Sequence, residues 1–120
     1  MIPKYSALDI ANYFLYKAQE ATEEDQELIS NLKLQKLVYY AQGLYMAVYG
    51  KPLFSDKIEA WTYGPVVPEL YQHYKKYNSN GIHADKNFNP SRIDEKTKKF
   101  LDEIYEAFGQ FSAIGLMNLT

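Results

Sequence analysis

From Leu34 to Val48 the apolar residues Leu34, Leu37, Val38, Ala41, Leu44, Tyr45 and Val48 recur at three- and four-residue steps. Such spacing falls on one face only when the backbone is helical, so this segment predicts an amphipathic helix that must be covered along one side. Gly50 stands just past its end, where a left-handed terminal residue is wanted. The opposite side carries Lys33, Lys36, Tyr40, Gln42 and Tyr49, which is too aromatic to serve solvent alone. Gly43, in mid-helix, lacks a Cβ and costs about 1 kcal/mol relative to alanine, which predicts that another element crosses closely there.

Other helices are spelled out more briefly. Ser6 and Asp9 have the spacing of a capping box, and Leu8, Ala11, Phe14, Leu15 and Ala18 then follow the helical period to near Gln19. Glu20 to Glu27 is acidic and aperiodic and reads as a solvated connection. After the long helix, Lys51-Pro52-Leu53-Phe54 turns the chain, Ile58 to Trp61 alternates as a short strand, and Tyr63-Gly64-Pro65 signals a turn. Pro68 suits the first turn of a third helix reaching Tyr77, and Glu69 favours its positive end. Asn78 to Pro90 is loop-like. Ser91 to Asp94 offers a cap for a fourth helix marked by Thr97, Phe100, Leu101, Ile104, Tyr105 and Phe108, and Ser112 opens a fifth. The fold expected is mainly α: a compact bundle of four to five helices, with a short extended or two-stranded insertion between the second and third. Residues 1–120 are expected to form a single domain that continues past Thr120 in its natural setting.

Chemistry is sparsely equipped. With no cysteine and only His73 and His83, set ten residues apart, neither a thiolate site nor a His-rich metal motif is spelled. No cofactor or metal is therefore expected. His73 has Glu69 one turn before and Tyr77 one turn after, a spacing that ordinary surface packing explains better than general-base work. No glycine-rich phosphate loop or nucleophile elbow is present, so no enzymatic activity is expected. A net charge of -2 gives no global attraction to nucleic acid. Local basic residues exist at Lys75 and Lys76 and at Arg92, Lys96, Lys98 and Lys99, which keeps a nucleic-acid-binding regulator as the alternative. No apolar run approaches the ~20 residues that span a bilayer, so a cytoplasmic protein without membrane contact is expected.

Twelve tyrosines in 120 residues are the outstanding compositional fact. A tyrosine buries a large ring while its hydroxyl seeks a partner, which suits both the rim of a small core and a binding surface.

The run Leu34-Gln35-Lys36-Leu37, with Gly50-Lys51-Pro52-Leu53 and Ala60-Trp61-Thr62-Tyr63-Gly64-Pro65-Val66-Val67-Pro68, resembles the Panacea domain family, the SocA-like antitoxins and phage-associated GepA-like proteins. The likeness extends from about Ser6 to Tyr77, and residues from Ser112 look like the start of a further family block. It implies an antitoxin-type module that neutralises a toxin encoded by a neighbouring gene through direct contact, and a role as adaptor to a protease or chaperone. The expected contact residues are Tyr40, Trp61, Tyr63, Tyr71 and Tyr74, with the acidic Glu23 to Glu27 stretch at the rim. For Trp61 a place in the core between the second and third helices competes with that reading.

Overall fold

The first helix, α1 (Ala7–Gln19), starts at the capping box foreseen: the Ser6 hydroxyl accepts from Asp9 N and the Asp9 carboxylate accepts from Ser6 N. In this computed structural model, residues 3–20, 28–77 and 81–109 are described. Four helices and one hairpin follow in the order α1, α2 (Asn31–Tyr49), β1 (Glu59–Trp61), β2 (Gly64–Val66), α3 (Pro68–Tyr74) and α4 (Glu95–Phe108). The expected acidic segment beyond Glu20 and the expected fifth helix lie outside the described residues.

α2 is the central element, in contact with α1, α3, α4 and β2. Ser30 caps it by accepting from Lys33 N, and Gly50 closes it at φ 69°, a left-handed conformation that glycine adopts without a Cβ penalty. Ile10, Phe14 and Leu15 of α1 pack with Leu34, Leu37 and Val38 of α2, with Phe54, Leu70, Ile82 and Leu101 completing the core. Each such side chain contributes roughly 1.5–3 kcal/mol on burial.

The long connection before α4 is anchored. Ile82 pairs with Ile29 in an isolated antiparallel bridge, and Asp85 is tied to the buried Asn12 of α1 through both its backbone N and its carboxylate. A 3-10 turn at Pro90–Arg92 leads into α4, whose cap is Asp94, three residues later than the Ser91 cap expected from sequence. α3 is also shorter than expected: it ends at Tyr74, and Lys75–Tyr77 tighten into a 3-10 turn.

Tyrosine hydroxyls hold α4 against the start of the chain. Tyr5 donates to Asp94 Oδ2 at 2.5 Å and Tyr13 donates to Asp102 Oδ1 at 2.6 Å. The Tyr5 hydroxyl and the Thr97 amide and hydroxyl together push the Asp94 carboxyl down to about 2. Burial and the Asp102 carboxylate raise Tyr13 well above the ordinary tyrosine range.

Two expectations for α2 fail. Leu44 and Val48 were expected on the core face and are exposed, as is Met46, because α4 covers the Tyr45 and Tyr49 side through Phe100. Among the described residues nothing lies within 4 Å of a Cβ built on Gly43, so no element crosses closely there.

Candidate functional site

The segment between α2 and α3 is held by polar side chains of α2, two of which, Lys36 and Gln42, were expected on the side away from the core. Gln42 Nε2 donates to the Phe54 carbonyl at 2.7 Å, while its Oε1 accepts from Leu53 N at 2.8 Å and Phe54 N at 3.3 Å. Two turns earlier, Gln35 Oε1 accepts from Val67 N at 2.9 Å, and its Nε2 donates to Asn31 Oδ1. Asn31 in turn donates to the Tyr71 carbonyl. Lys36, fully buried, donates from Nζ to the Tyr63 carbonyl, and burial lowers its pKa. Every one of these bonds to the 53–67 segment goes to its main chain.

Lys36 also explains Gly64. At φ 116° the residue is in a region that L side chains rarely adopt, and a Cβ there would fall on Lys36 Nζ. Glycine lets the hairpin turn sit down on the buried ammonium. The hairpin itself is antiparallel, with Glu59 opposite Val66, Ala60 opposite Pro65 and Trp61 opposite Gly64.

Beside the hairpin opens a groove of about 410 Å³, lined by Ser30, Asn31, Leu32, Gln35, Trp61, Tyr63, Val66, Tyr71 and Lys75. Three of the five residues expected from sequence to meet a partner therefore share one concavity. Trp61 is 39% exposed, stands edge-on to Tyr71 with ring centroids 5.1 Å apart, and donates its indole N–H to Glu59 Oε1. The alternative place for Trp61, in the core, is thereby corrected: the strand that carries it is exposed at all three residues. Tyr63, at the turn, is 63% exposed.

The other two expected residues lie elsewhere. Tyr74 is 1% exposed, with its hydroxyl on Asn12 Oδ1 at 3.3 Å; it faces α1, so the surface position expected for it is corrected to a core position. Burial, and next the Asp85 carboxylate, raise its pKa far above the usual tyrosine value. Tyr40 is half-buried where α2 meets α4, stacked on Phe108 at 4.7 Å with the rings nearly parallel. Sequence reasoning missed Leu32, Gln35, Val66 and Lys75. The signal for Gln35 was its place one residue after the core position Leu34, which puts an amide at the edge of the buried stripe.

The rival chemistries gain little. His73 contacts Asp85 at 3.4 Å and the Tyr74 ring, in keeping with the surface packing expected of it. Among the described residues no group of three or more His, Cys, Asp or Glu is placed to hold a metal ion. Arg92, in the turn before α4, is paired with Asp9, and in α4 Lys98 pairs with Glu95 while Lys96 lies over the Tyr49 ring, so three of the four basic residues that begin this helix are engaged within the chain. A second cavity, of about 420 Å³, lies between the start of α4 and Gly50–Leu53, with Tyr5 and Asp94 in its wall. Among the described residues no helix is long and apolar enough to cross a membrane.

A family model described as "Antitoxin SocA-like, Panacea domain" matches residues 34–120, a span that includes the hairpin and α3. Antitoxin SocA of Caulobacter vibrioides (strain NA1000 / CB15N) is 45% identical over 53 residues, which cover 44% of this chain and 27% of that protein. The match thus spans about a quarter of the curated relative's length. No solved structure matches the chain.

Proposed function

The chain belongs to the SocA-like, Panacea-domain antitoxin family, and on that premise we propose that it neutralises a toxin by binding it directly, without catalysis, through the face that carries Trp61, Tyr63 and Tyr71. The toxin is the product of a neighbouring gene, and the complex forms in the cytoplasm. One observation carries the reading: three aromatic side chains are gathered, partly exposed, around a single groove on a hairpin whose main chain is rigidly held by α2. Aromatic anchors that lose little conformational entropy on binding are the usual energetic centres of protein interfaces. A rigid support reduces the ordering cost that association would otherwise carry.

Co-expression tests the proposal. Growth arrest caused by the neighbouring gene product is relieved by this chain, the two co-purify, and a Trp61→Ala/Tyr63→Ala variant with unchanged thermal stability loses both effects. A neighbour that is harmless alone, or that stays toxic without forming a complex, sinks the reading.

A further inference from the structure

The two edges of the hairpin differ. Pro65 has no N–H and sits opposite Ala60, so that pair cannot exchange two hydrogen bonds; the ladder bonds must lie at Glu59–Val66 and Trp61–Gly64. In an antiparallel ladder the intervening residue then points its N–H and C=O away from the partner strand. On the β2 side this leaves Pro65 with no donor to offer, α2 packs against the strand, and Val67 N is already taken by Gln35. On the β1 side Ala60 presents both a donor and an acceptor, and among the described residues nothing bonds to either. All of β1 is exposed.

Resting on the antitoxin reading above, we propose that β1 accepts an extended segment of the bound toxin as a third strand, paired through the outward N–H and C=O of Ala60. Every second side chain of that segment then stands on the same face as Trp61, so apolar residues at alternate positions are the expected chemistry of the incoming strand. Glu59, next to Ala60 on β1, places a charge on the edge strand and discourages indiscriminate pairing between copies. The edge thus favours a foreign strand over a second copy of this chain.

The test uses the full chain and the product of the neighbouring gene. Ala60→Pro removes the outward donor while leaving the bonds of Glu59 and Trp61 to β2, and Ala60→Val keeps the donor. The complex is expected to weaken by about tenfold with proline and to be unchanged with valine, the loss of one net hydrogen bond being of that size. Amide exchange on the unmodified chain is independent of whether the proline variant folds, and Ala60 N–H is expected to exchange freely alone and slowly in the complex. A complex that needs Trp61 and Tyr63 but leaves the Ala60 amide unprotected overturns strand addition and leaves the antitoxin reading standing. Failure to form any complex overturns both. Protection of Ala60 that grows with the concentration of the chain alone identifies a second copy as the occupant and overturns the proposal.

Discussion

Replacing Gln42 by leucine tests whether α2 holds the 53–67 segment through main-chain bonds. The side chain keeps its approximate volume, so little cavity forms, but three hydrogen bonds vanish at once. Leu53 N, Phe54 N and the Phe54 carbonyl belong to residues that are only 3% and 0% exposed, so water cannot readily replace the lost amide. A buried backbone group left unpaired costs about 1–3 kcal/mol. The 3.3 Å bond to Phe54 N is weak and adds little, so the two well-formed bonds set the sum expected for Gln42→Leu at about 2–6 kcal/mol. For a domain of this size that lowers Tm by on the order of 10–20 °C. Thermal melts and urea titrations measure it, the urea midpoint falling at unchanged slope. A loss below about 0.5 kcal/mol, the level of an ordinary surface substitution, would refute the claim that this amide fastens the segment.

Three further outcomes are expected. Gly64→Ala, forced to keep a positive φ and to displace Lys36 Nζ, destabilises by about 1–3 kcal/mol in the same urea assay, and a neutral result would show the turn to be adaptable. Asp94 has its folded pKa depressed to about 2, so its stabilising contribution is complete above the unfolded value near 4 and is lost as pH falls through about 2; the stability gap between the wild type and Asp94→Asn should close over that window, and a gap that is constant with pH contradicts it. Tyr74→Phe removes the hydroxyl on Asn12 and costs roughly 0.5–1.5 kcal/mol of stability while leaving partner affinity unchanged, and weakened binding by the folded variant would restore Tyr74 to the interface.

The elements were legible because their signals are local. The capping box at Ser6, the period of α2 and the glycine that ends it each depend on residues a few positions apart and stand in the structure, while the turn signalled by Tyr63-Gly64-Pro65 falls one residue earlier, at Thr62–Tyr63, with Gly64 and Pro65 already in β2. What the period could not say is which neighbour covers which stretch of α2. Its first half lies under the hairpin, which buries Lys36, whereas its last turns meet α4 only on the Tyr45 and Tyr49 side, which leaves Leu44 and Val48 outside. Tyr74 was misplaced for a similar reason: its hydroxyl finds Asn12 across 62 positions of chain, a pairing with no trace in local spacing. Of the expected contact residues, Trp61, Tyr63 and Tyr71 converge because a hairpin and the helix after it are neighbours in sequence, so their proximity was readable once the turn was recognised.

The way the hairpin is fastened has a consequence for how such a protein diversifies. Gln35 and Lys36 grip Val67 N and the Tyr63 carbonyl, atoms that every amino acid at those positions would supply, apart from proline at 67. Anchorage is thereby uncoupled from side-chain identity at the tip. Thr62 and Tyr63 can be rewritten by mutation while the loop keeps its place, so the chemistry displayed at the tip can change in single steps that leave the scaffold undisturbed.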